Sequence, residues 1–294
     1  QKAEAESMEE TEKTVIQKAV KKKKRKKNKK AQTEETKEQQ ETVNMEELQD
    51  YQTLVGNYYT VDASTTADPE QINAEKLAGQ DLRIKKDASV PQILIYHTHS
   101  QEAFADSEEG NISDTIMGNY LTELLENKYG YNVIHNTSVF DMIDGVLDRN
   151  TAYNLAETEI SSILAANPTV EVVIDLHRDG LDGEKLVTQI DGKQVAKIMF
   201  FNGLSRTARN GNVDYLPNPY IEENLAFSFQ LQIKAQEYYP GFTRHIYLQS
   251  LRYNLHLKPR ALLIEAGSQL NTVEEEKNAM EPLADILDRV LAGR

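Results

Sequence analysis

Two histidines and a glutamate stand close together where an apolar stretch of the chain ends. The segment ILIYHTHSQE places His97, His99 and Glu102 directly after four apolar or aromatic residues. Imidazole nitrogens and carboxylate oxygens are the ligands that hold zinc in hydrolytic sites. A turn after the strand brings the side chains of His99 and Glu102, three residues apart, to one ion. The spacing therefore predicts part of a metal site.

Two further apolar stretches end in residues with the same kind of chemistry. His177 follows the run VVIDL, and Glu265 follows LLI. We predict that His99, Glu102 and His177 bind zinc and leave one position open for water. Glu265 is then the candidate catalytic acid and base, because a glutamate behind apolar residues needs a proton or a partner.

His97 has three possible roles in such a site. Because side chains alternate along a strand, His97 is expected to face the same side as His99. It would replace His99 as ligand, donate to an oxyanion, or orient a ligand, and the orienting role is the favoured interpretation. The candidate catalytic residues are therefore Glu265 and His97. Arg178 and Arg252 are predicted to bind a substrate carboxylate or an oxyanion.

Other interpretations of these residues are weaker. A single H-x-x-E pair is most often a surface pair, and a single histidine after a strand is most often a core residue. Three such coincidences at three strand ends favour a metal hydrolase. Serine catalysis is disfavoured, since neither Ser100 nor Ser268 lies in a G-x-S-x-G motif. His256, shortly before the Glu265 strand, is the remaining histidine of interest.

The elements that position these residues form an α/β pattern. From residue 92 onward, apolar strands alternate with amphipathic helices, which predicts a mostly parallel or mixed central sheet with helices on both faces. Ligands bind beyond the carboxyl ends of the strands in such sheets. Asp191-Gly192 predicts the turn of a hairpin, and Thr272 with Glu275 predicts a capping box on the last helix.

Composition divides the chain into three parts. Residues 1–45 are rich in Lys, Glu and Gln, include the run KKKKRKK, and are predicted to be a disordered charged tail. Residues 46–90 are predicted to form an extended arm with a short helix. Residues 91–294 are predicted to be the catalytic domain.

Charge and residue usage exclude several classes of protein. The net charge is -14 and the pI is about 5.0, which argues against nucleic acid as the main partner. The basic run is a solvated block or contacts lipid or wall polymer.

The absence of cysteine excludes disulfides and thiolate ligands. No apolar run reaches about 18 residues, so no membrane span is expected. Because the chain begins with Gln, we expect that an upstream membrane anchor has been removed.

The segments that carry these residues also resemble a known family. ILIYHTHSQEAFADS, DLHRDG and LLIEAGSQLNTVEE, together with NYYTVDASTT, closely resemble stage II sporulation protein P over roughly residues 50–290. The sequence departs from this family at residues 254–256, which lack an expected Gln. This departure concerns the loop there and leaves the metal residues unaffected.

The resemblance implies a specific enzyme. Members of the family are zinc-dependent N-acetylmuramoyl-L-alanine amidases with a fold like that of zinc amidases and carboxypeptidases. They cleave the amide between muramic acid and the first L-alanine of the stem peptide during forespore engulfment. They act outside the cytoplasm, anchored to the membrane at the septum, with stage II sporulation protein D, a lytic transglycosylase, as partner. By position, the resemblance implies His99, Glu102 and His177 as metal residues and Glu265 as the acid, with His97 the alternative to His99.

Two alternatives remain beside the amidase. One is a zinc endopeptidase or carboxypeptidase acting on stem peptides, because the same site cuts any amide that the groove admits. The other is a wall-binding scaffold without catalysis, which would tolerate Glu265→Gln. The apolar helix faces are predicted to be used within the core, so a monomer is expected.

Overall fold

The computed structural model describes residues 42–107 and 113–294. Their central element is a seven-stranded mixed β-sheet. All of these residues belong to one compact unit. From edge to edge, the strands of this sheet are β1 Tyr59–Val61, β12 Ile246–Gln249, β9 Ile198–Gly203, β13 Ala261–Ser268, β6 Val172–Asp179, β2 Ile93–Tyr96 and β3 Val133–His135.

The remaining regular elements lie around this sheet. Three antiparallel hairpins are formed by β4 Met142–Ile143 with β5 Val146–Leu147, β7 Val187–Ile190 with β8 Lys193–Ala196, and β10 Arg206–Thr207 with β11 Gly211–Asn212. The α-helices of the described residues are α1 Tyr51–Tyr58, α2 Ala74–Ala78, α3 Ser113–Asn127, α4 Arg149–Ala166, α5 Ile221–Tyr238 and α6 Val273–Ala292. Two short 3-10 helices are Glu47–Gln49 and Leu255–Leu257.

The strand directions divide the sheet into two groups. Strands β13, β6, β2 and β3 are parallel to one another, and β13 pairs antiparallel with β9. Strands β9, β12 and β1 are parallel to one another and therefore run the opposite way. The carboxyl ends of β2, β6 and β13 lie side by side at one end of the strands, which we call the site edge to distinguish it from the outermost strands. Because β9 runs the opposite way, its last residue, Gly203, lies at the other end of the strands, which we call the far edge.

Helices cover both faces of the sheet. The first face is covered by α4, whose Ala152, Ala156 and Ile160 are fully buried in a cluster with Tyr96 and Leu263. The second face carries the larger apolar cluster, to which α3, α5 and α6 contribute. The predicted fold class, a mostly parallel central sheet with helices on both faces, is confirmed. No helix of the described ranges combines the length and apolar content needed to cross a bilayer.

Local signals in the sequence explain several element boundaries. Asp191 and Gly192 have φ angles of 50° and 80° and turn the β7–β8 hairpin, as predicted. The capping box at α6 is also observed. The hydroxyl of Thr272 accepts a hydrogen bond from the Glu275 amide, and the Glu275 carboxylate accepts one from the Thr272 amide.

The segment before residue 91 is more ordered than predicted. Residues 46–90 contain the expected short helix, α2, but also α1 and the edge strand β1, which pairs with β12. This segment therefore adds a strand to the main sheet. The prediction of disorder for residues 1–45 falls mostly outside the described residues. Within the described part, Val43 and Met45 pack against the large apolar cluster.

Candidate active site

Strand register brings His177 and Glu265 together. Strands β6 and β13 are adjacent and parallel, and these two residues are directly paired. Side chains in register on neighbouring strands point to the same face of the sheet. His177 is buried, and the Oε2 atom of Glu265 is inaccessible to solvent. This pairing creates a buried imidazole–carboxylate pair at the site edge.

His99 joins this pair from the loop after β2. Its ring lies edge-on to the His177 ring, with centroids 5.0 Å apart and an interplanar angle of 81°. The preceding residue fixes the loop, because the amide and hydroxyl of Thr98 donate to the Asp175 carboxylate at 2.9 and 2.6 Å. Asp175 is buried in β6, two residues before His177. The β6 strand therefore positions both histidines.

A second buried aspartate holds the next residues of the loop. Asp141 accepts hydrogen bonds from the amide and hydroxyl of Ser100 and from the amide of Gln101. These bonds direct Glu102 into the protein, where it is 4% exposed. Glu102 Oε1 lies 3.3 Å from an Arg149 nitrogen. Thus the predicted partner of His99 also reaches the site edge.

Two buried polar atoms of this cluster have neither a hydrogen-bond nor an ion-pair partner among the described residues. They are Nε2 of His99 and Oε2 of Glu265. Nε2 of His177, by contrast, is paired with an Asp175 oxygen at 2.8 Å. Each buried polar atom without a partner costs about 1–3 kcal/mol. Unpartnered atoms on neighbouring side chains therefore favour the binding of a ligand that would satisfy them.

The donor types at this point fit a zinc ion, although the side chains do not form a closed set of ligands. Imidazole and carboxylate are the donors of three-ligand catalytic zinc sites. Within residues 42–107 and 113–294, however, no three histidine, aspartate or glutamate side chains are arranged so that they could hold a metal. The metal site at His99, Glu102 and His177 therefore remains a prediction.

The buried carboxylates and histidines shift one another's pKa values. Burial raises the pKa of Glu265 to about 7, although the neighbouring His177 opposes this shift. Burial disfavours a charged His177, but Asp175, Glu265 and Glu102 outweigh it and raise its pKa to about 10. Burial and the charge of His177 lower the pKa of His99 to about 4. The cluster therefore combines a charged and a neutral imidazole with a carboxyl that titrates near neutrality.

His97 lies on the other face of the sheet, contrary to the expectation from strand alternation. Its ring is beside α3, where a Cβ atom on Gly118 would lie 2.6 Å from His97 Nε2. The ring of His99 instead contacts Tyr153 of α4, on the opposite face. The reason is that β2 ends at Tyr96, so the alternation does not extend to residue 99. His97 and His99 therefore belong to different environments.

Both ring nitrogens of His97 are engaged. Nδ1 lies 2.7 Å from the Leu176 carbonyl oxygen, and Nε2 lies 2.8 Å from Nε2 of His135. The first contact joins the end of β2 to the residue before His177. Such contacts suit an orienting role for His97, and its predicted catalytic contribution stays a prediction.

The two predicted substrate-binding arginines have different surroundings. Arg178 lies at the end of β6, where its Nε donates to the carbonyl of Ala103 at 3.0 Å and its backbone amide contacts Glu102. Arg252 is paired with Glu157 of α4 at 3.0 Å and donates to the Pro217 carbonyl at 3.3 Å. Both roles remain predictions, and only Arg178 adjoins the cluster.

Tyr153 is a site residue that sequence reasoning missed. Its ring packs edge-on against His99, with centroids 5.5 Å apart. Burial and the nearby carboxylates of Asp175, Glu265 and Glu102 raise the pKa of its hydroxyl well above the usual value. No hydrogen bond to this hydroxyl is formed among the described residues. Tyr153 lies in the first turns of α4, far in sequence from the other site residues, and no local pattern marks it.

The fold and the site together define a class of protein. It is an α/β protein that carries histidines and carboxylates at and after the carboxyl ends of three parallel strands, the place where such sheets bind ligands. The family model of stage II sporulation protein P matches residues 1–288. The chain belongs to this family.

A curated relative and two solved structures are similar to parts of this chain. Stage II sporulation protein P of Bacillus subtilis (strain 168) is 24% identical over 214 residues, which cover 67% of this chain. The chain spans about half the length of that relative, of which 50% is covered. The CwlD amidase from Clostridioides difficile, solved in complex with the GerS lipoprotein, is similar with a TM-score of 0.45 and 13% identity, over 69% of this chain and 100% of that one.

A second solved structure resembles the chain to a similar degree. The N-acetylmuramyl-L-alanine amidase Ami1 from Mycobacterium smegmatis has a TM-score of 0.42 and 11% identity, over 70% of this chain and 99% of that one. Because both structural likenesses are this low, the family assignment rests on the sequence matches alone.

Proposed function

We propose that this protein is a zinc-dependent peptidoglycan hydrolase that cleaves the amide between N-acetylmuramic acid and L-alanine during sporulation. The observation that carries the proposal is the pair of unpartnered buried atoms, Nε2 of His99 and Oε2 of Glu265, beside the His177 ring at the site edge. Family membership supplies the sporulation context, and action outside the cytoplasm follows from a cell-wall substrate.

In this proposal His99, Glu102 and His177 hold the metal. A bound zinc ion would polarise the scissile carbonyl and lower the pKa of a coordinated water to about 7. His177 must release its proton before it binds a cation, so metal uptake releases protons and weakens at low pH. Asp175, 2.8 Å from His177, stabilises the charged form in the absence of metal.

Glu265 transfers the protons. Its pKa of about 7 allows it to be ionised and protonated in turn near neutral pH. As the carboxylate, it accepts a proton from the attacking water. As the acid, it donates that proton to the amide nitrogen, whose bond to the carbonyl carbon then breaks. Burial, which raises the pKa, therefore suits Glu265 to both steps.

Tyr153 stabilises the oxygen of the scissile carbonyl. A phenol is protonated at neutral pH and is a hydrogen-bond donor. Its hydroxyl lies among Glu265, Glu102 and Asp175 and forms no hydrogen bond within the described residues. Donation to the carbonyl oxygen strengthens as that oxygen becomes negative, which is the kind of interaction that accelerates a reaction.

Mass spectrometry of digested peptidoglycan tests the proposal. The purified protein is incubated with the polymer, with zinc or with a chelator, and the Glu265→Gln variant serves as the control. We expect free stem peptides beginning in L-alanine only with zinc and only with the unchanged glutamate. Loss of cross-links while peptides stay attached to muramic acid would instead support the endopeptidase alternative. No release under any condition would favour the scaffold.

A further inference from the structure

A second polar cavity opens at the far edge of the sheet, away from the catalytic cluster. It encloses about 320 Å³ and lies beside the loop that follows β9, which ends at Gly203. Because Glu265 pairs with Met199, Gly203 lies about 13 Å further along the strand direction. The volume is at the lower end of the range found for small-molecule sites. The cavity is thus separate from the proposed hydrolytic centre.

Two buried oxygens in the cavity wall lack hydrogen bonds. They are Oγ of Ser205, a residue that is 7% exposed, and Oδ1 of Asn218, and neither has a partner among the described residues. The amide nitrogen of Asn218 donates to the Gly203 carbonyl at 3.0 Å, so this side chain is held in place. Buried polar atoms are normally satisfied, and these two at one cavity indicate a missing polar ligand.

The backbone at this wall is held in an unusual conformation. Ser205 has a φ angle of 48°, in the left-handed region that residues other than glycine rarely adopt. Its carbonyl accepts a hydrogen bond from the Val213 amide at 2.8 Å, which closes the loop across the cavity. Strain of this kind persists only when the surroundings enforce it, and it clusters at binding sites.

The lining favours an uncharged ligand rich in hydroxyl groups. Polar side chains of Gln71, Asn212 and Asn218 alternate with apolar ones such as Leu204 and Pro217. None of the described lining residues carries a positive charge. The neighbouring Arg206 is engaged by Asp68 and Asn212, at 3.0 Å each. Arg252, which donates to the Pro217 carbonyl at 3.3 Å, is likewise paired with Glu157. Because both arginines are already paired, the wall favours sugar hydroxyls and acetamido groups, which match these amides, over a carboxylate-bearing stem peptide.

The rim adds an exposed aromatic ring. Tyr215 is 83% exposed and lies between Asp214 and Leu216, both of which line the cavity. An aromatic ring offers an apolar face with a polar end, which suits the C–H face of a pyranose.

We propose that this cavity binds the glycan strand of the cell wall, through an N-acetylated sugar, as a second site on the polymer. The choice of glycan rests on the proposed function, because it assumes a peptidoglycan substrate. Engagement of one chain at two sites raises the effective concentration of the scissile bond at the site edge. The cavity is therefore a holding site, and no bond is broken there.

Titration with chitotetraose, a stem-free oligosaccharide of N-acetylglucosamine, tests this inference. In nuclear magnetic resonance spectra of the ¹⁵N-labelled wild-type protein, the amide chemical shifts of Ser205, Asn218 and their neighbours are expected to change. Isothermal titration calorimetry measures the Kd. Tyr215→Ala and Asp214→Asn, both at exposed positions, are expected to raise Kd at least about tenfold. Val146→Ala, which changes an apolar residue elsewhere that is 67% exposed, is expected to leave Kd unchanged.

The outcomes separate this proposal from the catalytic one. Shifts confined to the site edge, an unchanged Kd in both variants, or preferential binding of a free stem tripeptide would overturn the glycan site. Zinc-dependent release of stem peptides would still be measured independently. We expect Tyr215→Ala to lose rate on the polymer, on which Val146→Ala keeps the wild-type rate.

Discussion

Two histidine pairs stand at the same end of the sheet with nearly the same geometry and different surroundings. His97 and His135 have ring centroids 5.1 Å apart, and His99 and His177 have centroids 5.0 Å apart. Both pairs are edge-on. In the first pair the nitrogens are engaged with each other, with a backbone carbonyl and with Asn119. In the second pair Nε2 of His99 lacks a partner within the described residues, and Nε2 of His177 is paired with Asp175 at 2.8 Å.

The difference shows that the environment, rather than the residue type, sets the charge of each histidine pair. Burial lowers the pKa values of His97 and His135 to about 3 and about 4, so this pair is neutral. The carboxylates of Asp175 and Glu265 instead raise the pKa of His177. We conclude that the first pair joins strands and a helix, and that the second is the one suited to a cation.

The largest effect is expected from His177→Ala. Removal of a predicted ligand should abolish both zinc binding and hydrolysis, because metal affinity depends on each ligand. Metal analysis of the dialysed protein and the digestion assay would check this. The matched control is His135→Ala, in the other pair, which should retain its zinc. Equal loss of zinc in both variants would contradict the division between the pairs.

Glu265→Gln should leave the metal and remove the proton transfer. General acid–base catalysis contributes on the order of 10²–10⁴-fold, so kcat should fall by that factor. Circular dichroism and zinc content should match the wild type. A variant with full activity would assign the catalysis to another group.

Tyr153→Phe should lower kcat with little change in KM, since the hydroxyl is proposed to act on the developing oxyanion. Loss of one such donor costs on the order of 10²–10³-fold. Tyr253→Phe is the matched control. Its ring packs edge-on against Tyr153 at 5.4 Å, but Asp62 is the charged neighbour that, with burial, raises its pKa. Equal effects of the two changes would reduce Tyr153 to a packing role.

Gly118→Ala tests the packing around the pair of His97 and His135, and it should have the smallest effect on catalysis. A Cβ atom there would lie 2.6 Å from His97 Nε2, so the methyl group should destabilise the fold by about 1–3 kcal/mol. Thermal unfolding measures this loss, and zinc affinity should change little. Gly56→Ala, where a Cβ meets nothing within 4 Å, is the control and should not destabilise.

The sequence predicted those parts of the fold and site that depend on neighbouring residues. The apolar runs before His99, His177 and Glu265 form strands, and their shared direction follows from alternation with helices. The turn at Asp191 and the cap at Thr272 are local, and both are observed.

Features that depend on distant parts of the chain were not predicted. Tyr153 reaches His99 only because α4 packs on the face where β6 and β13 present their side chains. Asp141 holds the Ser100 loop across 41 residues of sequence. The antiparallel pairing of β9 with β13, which creates the far edge, likewise carries no local signal.

The most direct test of the central claim is the zinc content of the purified protein beside its His99→Asn and His97→Asn variants. Plasma mass spectrometry after dialysis against a weak chelator gives the stoichiometry. The account predicts one zinc per chain in the wild type and in His97→Asn, and none in His99→Asn. Zinc retained in His99→Asn but lost in His97→Asn would place the metal at the other histidine pair and contradict the account.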